Sequence, residues 1–168
     1  VINRSCLTKT LALLLAAALL AGCGFHLRGS ADLPADMSVT FITGVRPFGT
    51  LTEDFSVALR QRGVAVTDRE RSATAVLHIT QDTTEKQVLS VDINGNVLEY
   101  QVRQSIRFLV ATVDGRSVVT EQTVALSRDY IFSSTDVLGK QREEQVVRAT
   151  LQENLVNMAM LRIAAAAR

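Results

Sequence analysis

Between Val97 and Thr112 the chain alternates so regularly that almost any fold it adopts must contain a long half-buried strand there. Leu98, Tyr100, Val102, Ile106, Phe108 and Val110 share one face, interrupted by Gln104, while Glu99, Gln101, Arg103, Ser105 and Arg107 occupy the other. Gln87 to Ile93 leads into Asn94-Gly95 just before this strand, and Asn-Gly is the favoured pair for a type I′ hairpin turn. A strand pair with one apolar face needs a second layer to cover that face. The rest of the sequence has to supply it.

Two stretches have helical spacing. Leu51, Phe55 and Leu59 recur every four residues, Thr50 and Glu53 stand at capping-box spacing, and Gly63 is placed to stop the helix. From about Gly139 to Ile163, Val147, Leu151, Leu155 and Met158 trace a second stripe. Further strands are expected at Ser38–Thr43, Val64–Thr67 and Ala73–Gln81, the last with His78 on its polar face. Gly44 to Gly49, containing Pro47, reads as a loop, and Asp114-Gly115 as a tight turn into a strand over Ser117–Asp129. The expected fold is α+β. It is a two-layer sandwich, with two helices packed on one face of a roughly four-stranded, mostly antiparallel sheet and a long hairpin extending from it.

The length of 168 residues suits one domain, and 47% apolar with 21% charged residues excludes a disordered chain. Lys and Arg number 18 against 17 Asp and Glu, which provides no clustered positive field and argues against nucleic acid as a partner.

The first 22 residues belong to a different category. Arg4 and Lys9 precede the unbroken apolar run Leu11–Ala21. A bilayer span needs about 20 apolar residues, so this run suits the core of a signal peptide instead. It ends in Leu20-Ala21-Gly22-Cys23, which resembles the lipobox of bacterial lipoproteins. That resemblance implies cleavage before Cys23, diacylation of its sulfur and acylation of the new N-terminus. Gly24, where inner-membrane lipoproteins carry Asp, implies export to the outer membrane. Arg4 and Lys9 would leave with the signal, and 16 basic side chains would then stand against 17 acidic ones. Cys6 would leave too and Cys23 would carry lipid, so no thiol would remain for a disulfide or a metal. Cys23 to Asp36 reads as an extended segment, since Pro34 opposes helix.

Catalytic constellations are missing. His26 lies beside the expected lipid anchor and His78 stands alone in a strand. No nucleophile elbow, phosphate loop or paired-histidine motif accompanies them, so no enzyme and no cofactor beyond the covalent lipid is expected. What remains is an anion-binding surface. Arg103 and Arg107 share a polar strand face, whose other reading is plain solvation. Lys140 and Arg142 lie near the start of the last helix, where cations oppose the macrodipole; an acidic ligand or simple solvation would offset that cost.

Cys23-Gly24-Phe25-His26-Leu27-Arg28-Gly29 resembles the opening of the LptE family of lipopolysaccharide-assembly lipoproteins. The resemblance continues through Asn94-Gly95, Glu99-Tyr100-Gln101 and Val137-Leu138-Gly139-Lys140, in order. It implies a signal peptide at 1–22, a lipidated N-terminal segment at 23–36 and one domain at 37–168. It further implies an outer-membrane protein of a Gram-negative bacterium, lipid-anchored on the periplasmic side. Such a protein plugs an LptD-type β-barrel, helps it to fold, and binds the lipopolysaccharide that the pair delivers to the cell surface. The family's lipid-binding region lies around the hairpin turn and the loop before the last helix. Lys140 matches a basic position there, whereas Ile93 replaces a basic residue that some members carry before Asn94-Gly95. The candidate lipopolysaccharide contacts are therefore Lys140, Asn94 and Gly95 from the resemblance, with Arg142, Arg103 and Arg107 added from charge and face. A rival class is an outer-membrane lipoprotein serving as a free-standing periplasmic adaptor or wall-binding module. A lipid-anchored hydrolase would need His78.

Overall fold

The computed structural model describes residues 33–45, 49–132 and 137–166. The expected signal peptide, Cys23 and His26 lie outside the described residues. Five strands form one sheet in the order β2-β1-β3-β4-β5, with β1 at Val39–Gly44, β2 at Ala65–Thr67, β3 at Ala75–Val91, β4 at Val97–Thr112 and β5 at Ser117–Ile131. Helices α1 (Thr50–Gln61) and α2 (Val137–Ala166) pack on one face. The α+β two-layer expectation holds with one strand more than expected. The sheet is mixed: β1 runs parallel to both β2 and β3, while β3, β4 and β5 are antiparallel. The β1–β2 pair is parallel because α1 carries the chain back between them, and the β1–β3 pair because the 68–74 segment crosses from β2 past β1 to start β3 in the same direction.

Helix α1 buries Leu51, Phe55, Ala58 and Leu59. Its cap is Gly49, with no side-chain cap bond, so the capping box expected at Thr50 does not form. Thr50 Oγ1 instead accepts a hydrogen bond from Gln152 of α2. At the other end Gly63 takes φ +80°, its N–H donating to the Arg60 carbonyl and the Val64 N–H to that of Leu59. This is a Schellman closure that a residue with a Cβ resists.

The principal core lies between the helices and the lower half of the sheet. It joins Phe55 and Leu59 to Leu77, Ile79, Phe108, Val110 and Val124, with Leu155, Met160 and Ile163 from α2. Met158 is not part of it. The buried stripe of α2 continues from Leu155 to Ala159 and Ile163 at intervals of four, which turns Met158 outward.

One strand was not legible as such. The segments expected at Ala73–Gln81 and Gln87–Ile93 are a single 17-residue strand, β3. A bulge between Ile79 and Gln81 breaks its register against β4. Before the bulge Ala75, Leu77 and Ile79 point toward the helices; after it Asp82, Thr84 and Lys86 do, opposite Ile106, Gln104 and Val102. At about 3.3 Å per residue β3 is roughly 55 Å long. The 12 residues of α1 extend only about 18 Å, so α1 covers the base of the sheet and leaves the upper part of β3 bare. Nor is the outer face uniformly polar: Val76 is buried there, beside half-buried Phe41 and Leu109.

Candidate functional site

The hairpin closes on a five-residue turn, Asp92 to Asn96. The Asp92 N–H donates to the Asn96 carbonyl (2.8 Å) and the Gly95 N–H to the Asp92 carbonyl (3.0 Å). Only glycines have positive φ among the described residues, and Gly95 is one of them at +83°. A type I′ turn would need positive φ at Asn94 as well, so that expectation is corrected. The turn is a three-residue loop in which Gly95 forms the left-handed bulge. Asp92 selects it, since its Oδ1 accepts the N–H groups of Asn94 (2.8 Å) and Asn96 (2.9 Å) and its Oδ2 the Asn96 side-chain amide (2.8 Å). These bonds, those from Asn96 foremost, hold the Asp92 carboxyl below its ordinary range. The same closure leaves Ile93 fully exposed at the apex. Val88, Leu89, Val91, Leu98 and Ile131 are exposed around it.

Helix α2 starts at this distal end of the sheet. Lys140 and Arg142 lie in its first two turns; Lys140 is within the helix rather than in a loop before it. Lys140 Nζ bonds Glu143 Oε2 at 2.6 Å, three residues on, while Arg142 is exposed. Glu143 offsets part of the macrodipole cost that Lys140 incurs. Arg103 and Arg107 are elsewhere. Both stand on the outer face of the sheet, away from the helices. Arg103 is opposite Glu85 in the β3–β4 ladder, and Arg107 Nε is 3.9 Å from Glu121 Oε2. The fold thus brings the start of α2 and the 92–96 turn to one end of the molecule and separates them from the two strand arginines by the thickness of the sheet.

One cluster escaped the sequence reading. Glu144 Oε2 accepts Lys86 Nζ (2.5 Å) and the Tyr130 hydroxyl (2.6 Å), and its Oε1 accepts Arg148 Nη2 (2.7 Å) and Nε (2.9 Å). Lys86 Nζ lies 4.0 Å from the centroid of the Tyr100 ring, which stacks on Tyr130 at 5.8 Å. Burial raises the Glu144 pKa, but the bonds from Lys86, Tyr130 and Arg148 outweigh it and bring it down to about 2. Below the cluster, Val102, Tyr130, Val147 and Leu151 form a second small core. Glu144 and Arg148 at i, i+4 were visible in the sequence. The inward phase of Lys86 was not, because the bulge sets it.

A cleft of about 680 Å³ opens over the bare part of β3, lined by Thr84, Gln104, Arg148 and Gln152 with Thr50 and Asp54 of α1. Gln104, the polar interruption noted in the alternation, is nearly buried there. Its Nε2 makes long contacts to Asp82 Oδ1 (3.4 Å) and Gln152 Oε1 (3.5 Å), and Gln152 Nε2 donates to Asp54 Oδ2 at 2.6 Å. The short bond of this network joins α2 to α1, while its contacts to the sheet through Gln104 are long. His78 is half-buried on the outer face, between Thr43 and Leu109. Among the described residues no helix is long and apolar enough to cross a membrane.

Known proteins resemble this chain in both sequence and fold. Residues 36–163 match the family described as LptE: Lipopolysaccharide-assembly. The LPS-assembly lipoprotein LptE of Photorhabdus laumondii is 28% identical over 144 residues, 86% of this chain and 78% of that protein. Its counterpart in Pectobacterium atrosepticum is 28% identical over 145 residues, with the same coverage. Among solved structures, lipoprotein B from Nitrosomonas europaea superposes with a TM-score of 0.71 at 22% identity, covering 84% of this chain and 91% of that one. The rare lipoprotein B from Shewanella oneidensis gives 0.65 at 22% identity, covering 76% and 94%. The structures support the two-layer fold, and the family match extends over most of the chain. The chain belongs to the LptE family of non-enzymatic lipopolysaccharide-assembly lipoproteins.

Proposed function

We propose that this protein, processed before Cys23 and held by lipid on that residue at the periplasmic side of the outer membrane, works inside an LptD-type β-barrel and contacts the lipopolysaccharide that the pair delivers to the cell surface. In this reading it also fills the barrel and assists its folding. The observation that carries the lipid contact is the composition of the distal end. Lys140 and Arg142 open α2 at the same end of the sheet where Ile93 and its aliphatic neighbours are exposed. Lipopolysaccharide combines phosphates with acyl chains, so cations beside aliphatic side chains complement both parts. Asn94 and Gly95 serve by shaping the turn, since their N–H groups are bonded to Asp92. Arg103 and Arg107, on the outer face, are assigned to the polar lumen of the barrel, whose interior is polar in this class.

Gentle solubilisation of outer membranes and purification of the tagged, lipidated protein tests the reading. A barrel protein of the LptD type recovered at equal stoichiometry supports it. Recovery of the folded, lipidated protein without a barrel would transfer the function to a free-standing periplasmic adaptor or wall-binding module.

A further inference from the structure

The two edges of the sheet differ. On one side it ends in β2, only 3 residues long; on the other it ends in β5, with 15 residues and, among the described residues, no strand beyond it. A long open edge presents a row of N–H and C=O groups to any other extended chain, and proteins blunt such edges with bulges, prolines, charges or covering side chains. The lower part of β5 is blunted in this way. Its register against β4 breaks between the pairs Phe108–Gln122 and Val110–Val119, and Arg162 of α2 donates from Nη1 to the Thr123 carbonyl at 2.9 Å. Between Thr123 and Arg128 these devices stop. Val124-Ala125-Leu126-Ser127 contains no proline, glycine or charge and stays in unbroken register with β4. Strand geometry repeats every two residues, so Ala125, Ser127 and Asp129 share the backbone phase of Thr123 without an arginine to cover them.

Beside this stretch lies a groove of about 390 Å³ between β5 and α2, lined by Leu126, Arg128, Leu151, Asn157, Met158 and Leu161. Met158 and Leu161 are 37% and 58% exposed, whereas Val147, Leu151, Leu155, Val156, Met160 and Ile163 of the same helix are buried. Arg128 projects on the same side as Leu126 and is exposed, and no carboxylate among the described residues forms an ion pair with it.

We propose that the β5–α2 groove is a strand-addition site for an extended segment of a protein partner, which joins the sheet as a sixth strand antiparallel to β5 along Val124–Ile131. Main-chain bonds to the open edge supply affinity, and alternate side chains entering the groove supply specificity. The chemistry of the groove defines the partner. Side chains that face Leu126, Met158 and Leu161 are aliphatic, and the one opposite Arg128 is a carboxylate, as cross-strand pairing favours. An antiparallel segment read from its N-terminus meets Arg128 before Leu126 and Val124, so the pattern is acidic, any, aliphatic, any, aliphatic. A second copy of β5 does not carry it: the residues β5 turns to this face are Val124, Leu126, Arg128 and Tyr130, none acidic. The site rests on the fold alone and stands whether or not the lipopolysaccharide reading does.

The test titrates the full-length, isotopically labelled chain with three blocked synthetic peptides and follows backbone amide signals and their exchange. The first contains Asp-Thr-Leu-Thr-Val, the second Lys-Thr-Leu-Thr-Val, and the third the first composition reordered as Leu-Val-Asp-Thr-Thr. The first peptide is expected to protect the amides of Ala125, Ser127 and Asp129 and to shift Met158 and Leu161. The reordered peptide is expected to bind at least about ten-fold more weakly. Arg128→Glu exchanges the order of the Asp and Lys peptides, and Leu161→Arg removes binding while leaving the fold intact, both side chains being exposed. Absence of saturable binding at millimolar peptide, equal binding of the reordered peptide, or an unchanged order in Arg128→Glu overturns the proposal. Sedimentation showing a dimer protected at Ala125–Asp129 overturns it as well, since the occupant would then be a second copy.

Discussion

The Tyr130 hydroxyl donates to Glu144 Oε2 at 2.6 Å, and through this bond the last residues of the edge strand are tied to the second turn of α2. Lys86 from β3 shares the same carboxylate oxygen, so three elements separated in sequence converge on one acidic group. Because Glu144 titrates at about 2 in the fold and near its ordinary value in the unfolded chain, its contribution is fully present above about pH 5. That contribution is lost as pH falls toward 2. At 1.36 kcal/mol per pKa unit it amounts to about 3 kcal/mol at most, less because the group keeps partial contact with water. Lys86, shifted upward against burial chiefly by its bond to Glu144, contributes with the opposite sign. Its share is present below its ordinary pKa and disappears as pH rises beyond it. Glu144→Gln should therefore lower the urea midpoint at pH 7 and flatten its decline between pH 5 and pH 2. A decline as steep as in the parent chain would contradict this assignment.

Gly44 and Gly95 should fail for different reasons. A Cβ on Gly44 would meet the Ile79 carbonyl oxygen at 2.6 Å and the Ile79 Cβ at 2.7 Å, where β1 and β3 pair. Gly44→Ala has to push two strands apart, and a loss of about 1–3 kcal/mol is expected from thermal or urea unfolding.

At Gly95 there is open space around the position but φ is +83°. Gly95→Ala should cost about 1–2 kcal/mol through backbone strain alone. Gly95→Asn should recover part of that, because Asn tolerates the left-handed region. The comparison of the two melting points separates strain from crowding.

Lys140→Asp replaces a cation at the start of α2 with an anion. If the proposed function holds, binding of lipopolysaccharide by the purified protein should weaken, while recovery with the proposed barrel partner stays close to the parent level. The better match of the α2 N-terminus to the macrodipole is offset by loss of the Lys140–Glu143 pair and by the new carboxylate beside Glu143, so the stability of the fold should change little. Unchanged lipopolysaccharide affinity would remove Lys140 from the contact.

Gln104→Leu tests the polar network under α2. The contacts of Gln104 at 3.4 and 3.5 Å are too long to contribute much, and Gln152 keeps its 2.6 Å bond to Asp54 without it. A change in unfolding free energy within about 1 kcal/mol of zero is expected. A larger loss would show that the network, rather than apolar packing, holds α2 over the cleft.

Properties decided by a residue and its near neighbours were legible in the sequence. The alternation of Val97–Thr112 placed Val102, Ile106, Phe108 and Val110 on the buried face, and the spacing of Leu51, Phe55 and Leu59 placed α1 with its stop at Gly63. Lys140 and Arg142 were likewise readable as cations at a helix start. Their period and charge belong to the local chain, and the backbone enforces them wherever the segment lies. Tertiary structure decided what depends on a neighbour far away in sequence. The polar stretch Asp82–Lys86 reads as a break, yet it is strand because β4 offers it a ladder. The bulge near Thr80 then turns Lys86 toward Glu144, and the crossovers through α1 and through 68–74 make β1 parallel to both of its neighbours. It was also the sheet that put Arg103 and Arg107 on one side and Lys140 on the other. Pairing partners, bulges and layer sides are set by which backbones lie within hydrogen-bonding distance, and no local period encodes that.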